Sequence, residues 1–320
     1  MAQSAPQLAL AADIGGTTMR AALIDRGGTV LARRDGPTEP SRGLDDAAQR
    51  LAAMLTEVRV TATEAIAGVA ISTAGPIDPT TGTYRSPPNL DRWDGLTMVP
   101  AIERALGLPV AVGHDATLAA MAEIEFGAGQ GMRHLLYVTV STGIGAGMIA
   151  DGRPITGATG GAGEAGHLLV QPGGPACGAG CGGCLEAMAS GSGIAAEARR
   201  RIDAGAQSSL AAIAEPTARE VFAAADAGDA IAGAIVDDAI FYVGAGLAGL
   251  LAVFDPELVV LGGGVIDGLR PRWDDVLHAT RSQALPRYAD GVPLVVSALG
   301  DEASLLGAAV LAFERAGVQD

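Results

Sequence analysis

The chain has 320 residues, 49% of them hydrophobic, enough for two lobes of ordinary size with a core in each. Its 36 acidic residues outweigh 21 basic ones for a net charge of −15, and every basic residue is Arg. That balance argues against a nucleic-acid-binding surface and excludes a Walker-type lysine loop, while the longest apolar run, Ala239 to Phe254, is too short and too interrupted by Gly for a membrane span.

From Leu8 to Asp25 the pattern reads as strand, glycine turn, strand, a β-hairpin whose tip is Gly15-Gly16-Thr17-Thr18. Glycines in such a tip permit positive φ and let successive N–H groups converge on an anion, and the two Thr add hydroxyl donors. Asp13, just before the tip, could hold a magnesium ion through water; read locally, the same segment is equally a simple turn. Leu44, Ala47, Ala48, Leu51 and Leu55 have helical spacing, and Ile66 to Ser72 is a buried strand. The Pro- and Gly-rich passage from Gly75 to Gly95 reads as an ordered loop containing Ser86-Pro-Pro-Asn89-Leu, where Asn89 is on local grounds a turn residue. Val110 to Val112 is a further strand, and Asp115 opens a helix to about Phe126, in the position of an N-cap.

The same logic then repeats. Leu135 to Val140 reads as a strand, Ser141 to Gly147 as a glycine turn containing Thr142 and Gly143, and Met148 to Ala150 as the return strand. Two such units suggest a duplicated architecture. Helices are predicted near Ile194 to Ala204, from Ala230 to Phe254, and from Asp301 to Ala316, with a strand at Leu258 to Leu261 running into Gly262-Gly263-Gly264. The glycines from Gly244 to Gly249 fit close helix packing as well as they fit a ligand-lining role.

Every Cys lies within one short stretch: His167, Cys177, Cys181 and Cys184 are the number and kind of ligand that closes a tetrahedral structural zinc site, with no position open for catalysis. A reducing compartment keeps such thiols available for metal, and the N-terminus shows no basic region ahead of an apolar core, so a cytoplasmic protein is expected. Glu164 and Glu186 flank the loop, where a metal staple would hold them rigid as hydrogen-bond acceptors for a polyhydroxylated ligand.

These motifs together resemble the ROK family (repressors, open reading frames and kinases), whose pattern is Glu-x-Gly-His followed by Cys-x-Cys-Gly-x-x-Gly-Cys-x-Glu. Here it reads Glu164-Ala-Gly-His167 and Cys177-Gly-Ala179-Gly-Cys181-Gly-Gly183-Cys184-Leu-Glu186. The family's middle Cys falls on Ala179, and Cys181 is expected to take over as third ligand. His114-Asp115-Ala-Thr-Leu-Ala-Ala-Met-Ala-Glu123 matches the family's Asn-Asp-x-x-x-Ala-x-x-x-Glu with His114 in place of Asn, and Ser86 to Leu90 resembles its sugar loop. An amide donates and accepts together, whereas an imidazole changes its donor count on protonation, so this substitution bears on sugar identity.

The resemblance implies an α/β protein of two actin-like (ribonuclease H-like) lobes with a cleft between them, a small lobe of residues 1–115 plus 301–320 and a large lobe of residues 116–300 that carries the zinc loop. It implies an ATP-dependent kinase acting on a hexose 6-hydroxyl, of glucokinase type, in carbohydrate metabolism and glycolysis. Asp115 would accept the sugar proton, and Asn89, His114, Glu164, His167 and Glu186 would bind the sugar. Asp13, Gly15, Gly16, Thr17, Thr18, Thr142, Gly143 and Gly262 to Gly264 would take the nucleotide with Mg2+, and a structural Zn2+ would sit on His167 and the three Cys. A homodimer or homotetramer is implied. Kinases of N-acetylglucosamine, N-acetylmannosamine, mannose or fructose are open alternatives, as is polyphosphate as donor. The family's sugar-responsive repressors are disfavoured, because they carry an N-terminal DNA-binding domain and the first kinase motif here begins at Asp13.

Overall fold

The computed structural model describes residues 7–87, 90, 92–289 and 291–317. Asn89 therefore lies outside the described residues. In chain order the elements are β1 (Leu8–Ile14), β2 (Thr18–Asp25), β3 (Val30–Pro37), α1 (Leu44–Arg59), β4 (Ile66–Thr73), β5 (Ile77–Asp78), β6 (Thr83–Tyr84), α2 (Val99–Leu106), β7 (Val110–His114) and α3 (Asp115–Glu125). There follow β8 (Leu135–Val140), β9 (Ile144–Ala150), β10 (Arg153–Pro154), α4 (Leu185–Ala189), α5 (Gly191–Asp203), α6 (Ala218–Asp226) and α7 (Ala230–Phe254). The chain ends with β11 (Leu258–Gly262), α8 (Gly264–Leu269), α9 (Trp273–Gln283), α10 (Pro286–Ala289), β12 (Leu294–Val296) and α11 (Ala303–Arg315).

Two compact units result, residues 1–133, 147–163 and 298–320 in one and residues 134–146 and 164–297 in the other. Residues 116–133 group with the N-terminal unit because α3 packs on α11. The sheets share one plan, β3-β2-β1-β4-β7 and β10-β9-β8-β11-β12, so each runs in the order third, second, first, fourth, fifth of its own strands. In the first sheet β1 to β3 are antiparallel neighbours, and β4 and β7 add in parallel; in the second, β11 lies parallel to β8 and β12. The doubling read from the two glycine-turn motifs is thus a doubling of topology.

In the first unit β1 is buried along its whole length, and the strand period of two sorts its side chains by size. Leu8, Leu10, Ala12 and Ile14 join the core formed with Leu51 and Leu55 of α1 and Ile102 of α2. Ala9, Ala11 and Asp13 alternate with them, and α11, rich in Ala, packs on β1 and β4. Asp13 is the one carboxylate in this strand.

The second unit is organised by α7. This helix is long and apolar enough to cross a membrane by length and composition, yet 61% of its most apolar window is buried in the protein, as a core helix requires. At Gly244 a Cβ would meet the backbone carbon of Ala279 at 2.6 Å, so glycine there lets α7 and α9 approach, and helix packing accounts for it. One expectation is corrected: the turn after β8 is only Ser141 to Gly143, and β9 begins at Ile144, because Gly145 and Gly147 alternate with the buried Ile144 and Ala146 along a strand.

Candidate functional site

In the first unit the parallel strands β1, β4 and β7 end level with one another. Asp13 is aligned with Ser72 and Ser72 with Gly113; one residue on, Ile14 is aligned with Thr73 and Thr73 with His114. The carboxyl ends of parallel strands are where α/β sheets bind ligands, since helices start there with free N–H groups. Asp13 is 6% exposed. Burial raises its carboxyl pKa above the ordinary value, the Arg20 guanidinium and the hydroxyls of Ser72 and Ser304 oppose that, and the nearby charge of Asp115 adds to it. Arg20 Nη2 lies 3.3 Å from Asp13 Oδ2 while its Nη1 donates to the Asp301 carbonyl at 2.6 Å, tying the strand end to the entry of α11.

Asp115 is the first residue of α3, with His114 in the N-cap position. The N-cap reading of Asp115 is therefore displaced by one residue: its Oδ1 accepts from the Ala116 N–H at 2.6 Å and its Oδ2 has no partner among the described residues. The His114 ring stands with Nε2 3.5 Å from Asp115 Oδ1, and its buried Nδ1 has no partner among the described residues. Glu123, the acid that closes the same motif, is buried and accepts the Ala128 N–H at 3.0 Å, a structural duty that the sequence pattern does not distinguish from a catalytic one.

The hairpin tip is braced from one side. Gly15 N–H donates to the Thr18 carbonyl at 2.9 Å, Thr38 N–H to the Thr17 carbonyl at 2.8 Å, and the Thr38 hydroxyl to the Gly15 carbonyl at 2.7 Å. The N–H groups of Gly16 and Thr17 make no bond among the described residues, and Thr17 and Thr18 are exposed. Neither glycine adopts positive φ, contrary to the local expectation, so the backbone itself does not demand them. A pocket of about 350 Å³ in this unit, bounded by Gly68, Pro109, Ala111 and Arg315, lies at the opposite ends of β4 and β7 and includes none of the predicted residues.

In the second unit two loops meet at the ends of the parallel strands β8 and β11. At Gly263, φ is +95° and a Cβ would lie 2.5 Å from the Val140 carbonyl oxygen, so only glycine fits beside the strand that leads into Ser141 to Gly143. Within that turn the carbonyls of Ser141, Thr142 and Gly143 are all taken, by the N–H groups of Gly191, Ser192 and Ser141 respectively. The N–H groups of Thr142 and Gly143 have no partner among the described residues, which leaves two adjacent donors for an anion. Glu186 Oε2 accepts the Ile144 N–H at 3.0 Å.

The four expected zinc ligands come together. One donor atom from each of His167, Cys177, Cys181 and Cys184 lies within 4.8 Å of all the others. His167 Nδ1 is 3.2 Å from Cys181 Sγ and 3.8 Å from Cys177 Sγ, and the two sulfurs are 3.2 Å apart. A tetrahedron on ordinary zinc bonds separates such atoms by about 3.5–3.8 Å, so Cys181 does stand where a third thiolate is required. Three sulfurs this close cannot all carry charge unaided. Burial disfavours the Cys177 thiolate, yet hydrogen bonding from Cys181, from the N–H groups of residues 179 and 181, and from Cys184 holds its pKa at about 7. Cys181, whose partners Cys177 and Cys184 take the charge, is pushed up to about 12. A divalent metal removes that competition. The other ring nitrogen of His167 lies 3.8 Å from Glu164 Oε2, the carboxylate–histidine arrangement usual behind a metal ligand.

A family model described as ROK family matches residues 9–315. Glucokinase of Halalkalibacterium halodurans is 34% identical over 304 residues, 92% of this chain and 92% of that protein. N-acetylmannosamine kinase of Citrobacter koseri is 38% identical over 303 residues, 95% of this chain and 98% of that protein. A ROK family glucokinase from Streptomyces griseus, solved in complex with glucose and AMPPNP, is 32% identical with a TM-score of 0.79, covering 96% of this chain and 99% of its own. With the match running from the first hairpin through the last helix, the chain belongs to the ROK family.

Proposed function

We propose that this protein is an ATP-dependent hexose kinase that moves the γ-phosphoryl group to a sugar 6-hydroxyl, with glucose as first candidate substrate. The observation that carries the reading is Asp115 placed at the carboxyl end of β7 with one carboxylate oxygen that has no partner among the described residues, next to the buried Asp13. Asp115 takes the hydroxyl proton, and Asn89, His114, Glu164, His167 and Glu186 are the residues assigned to contact the sugar. Phosphoryl transfer has a loose transition state, so the protein's task is to hold the groups in line and neutralise charge. The N–H pairs at Gly16–Thr17 and at Thr142–Gly143, which make no bond among the described residues, and the hydroxyls of Thr17, Thr18 and Thr142 are the donors assigned to the phosphates, with Gly262 to Gly264 assigned to the nucleotide as well. Magnesium, when bound, supplies charge neutralisation on the phosphates, with Asp13 as its contact through water. Zinc supplies rigidity to the loop that carries His167 and Glu186.

The relative from C. koseri supports N-acetylmannosamine as a second substrate to test, since its identity to this chain is as high as that of the glucokinases. A coupled ADP-release assay over glucose, mannose, fructose, N-acetylglucosamine and N-acetylmannosamine, repeated with polyphosphate as donor, decides among them. ADP release that does not depend on any hexose ends the proposal. Cytoplasmic location and a homodimer or homotetramer complete the reading, the latter checked by light scattering.

A further inference from the structure

The zinc loop and the phosphate-side turn of the second unit are joined by an unbroken series of short bonds. Cys184 is the N-cap residue of α4, which places Glu186 in the first turn of that helix, two residues from a metal ligand. The Glu186 carbonyl accepts the Ser190 N–H at 3.1 Å, and Ser190 begins α5 by accepting the Gly193 N–H on its hydroxyl at 3.0 Å. The next two residues grip the turn: Gly191 N–H donates to the Ser141 carbonyl at 2.7 Å, and the Ser192 hydroxyl donates to the Thr142 carbonyl at 2.7 Å. Glu186 closes the circuit, its Oε2 accepting the Ile144 N–H at 3.0 Å. At Gly143 a Cβ would stand 2.6 Å from that oxygen, so the glycine is what admits the carboxylate to the turn.

We infer that Glu186 is a positioning residue for the Ser141 to Gly143 turn, transmitting the geometry of the metal loop to the nucleotide side of the site, in addition to its contact with the sugar. The inference rests on the kinase reading for its functional consequence, though not for the bond itself. One carboxylate has two oxygens, and only Oε2 is engaged by Ile144, so the two duties do not compete. The carbonyl bonds to α5 fix where the turn sits, and the carboxylate fixes its exit into β9. Thr142 and Gly143 are thereby held by their carbonyls, while their N–H groups make no bond among the described residues.

The test uses the full chain with zinc bound. Glu186→Ala removes the acceptor, Glu186→Gln keeps an oxygen that can accept the Ile144 N–H, and Glu164→Ala removes a carboxylate that does not touch the turn. Amide hydrogen exchange at Ile144, measured without ligands, is expected to quicken at least about tenfold in Glu186→Ala, as fits a lost bond to a charged group, and to stay near the parent rate in the other two. The KM for ATP should rise by a similar factor in Glu186→Ala alone, while the sugar KM rises in all three. Parent-like exchange and ATP KM in Glu186→Ala would overturn the inference, and so would a Gln variant as damaged on the nucleotide side as the Ala variant. If the parent itself neither binds nucleotide nor phosphorylates sugars, the kinase reading falls, and the exchange at Ile144 still decides the positioning role.

Discussion

The two glycine turns, Ile14 to Thr18 and Val140 to Ile144, stand at equivalent points of two sheets with one topology, and they are held in different ways. The first is braced by Thr38 at its tip and by the Ala74 N–H on the Ile14 carbonyl at its entry, and is preceded by a buried acid paired with Arg20. The second is preceded by Val140, has no acid in line, and is braced by a helix start and by Glu186 from the metal loop. Each nevertheless leaves two adjacent N–H groups with no bond among the described residues. The strand order is the same in both units, and the support behind each tip differs: a buried acid stands before the first, and the cysteine-rich loop braces the second.

Breaking the chemical side should have the largest effect. Asp115→Ala is expected to lower turnover by at least roughly a hundredfold, the lower range for loss of a general base, with melting temperature close to the parent because the side chain is partly exposed. Near-normal turnover would reduce Asp115 to a local partner of the Ala116 N–H.

Metal removal should separate the two turns. Elemental analysis should find about one zinc per chain, and chelation should quicken amide exchange at Ile144 while leaving that of Gly15 unchanged. Equal effects at both, or an absence of zinc with full activity, would dissolve the distinction.

Asp13→Asn should act in opposite directions on function and stability. The KM for ATP should rise with little change in sugar KM, as should occur in Thr142→Ala. Burial raises the Asp13 pKa, so the folded chain holds this proton more tightly than the unfolded chain does. The stabilising contribution is complete below about pH 4, the ordinary carboxylate value, and is lost as pH rises through the raised value. At pH 7 the Asn variant should therefore melt higher than the parent, an advantage that shrinks as pH falls toward 4. A variant less stable at pH 7 would mean that Arg20 gains more from the charge than burial costs.

The smallest contrast lies between neighbours. Gly263→Ala, with positive φ and a carbonyl 2.5 Å from the new Cβ, should cost more than about 1 kcal/mol, whereas Gly264→Ala, with nothing within 4 Å, should be close to neutral in melting experiments. An equal loss in both would place the constraint outside the local backbone.

Much of this was legible in the sequence because the signals were local. The strands β1, β4, β8 and β11, the helices α1, α5, α7 and α11, and the zinc ligand set follow from periodicity and spacing, which depend on residues near each other in the chain. Cys181 as third thiolate could be inferred because ligand number and type are chemical constraints. The exposed strand β3 and the helices α2, α6 and α9 were not read, since their apolar faces are short and their burial depends on neighbours distant in sequence. Only the folded chain decided that His114, not Asp115, occupies the cap position, that the second turn ends at Gly143, that Gly244 serves helix packing, and that Glu123 is structural. Above all it decided what stands behind each glycine turn: Thr38 behind one, and Ser192 and Glu186 behind the other, are brought there by sheet and helix packing that no local pattern encodes.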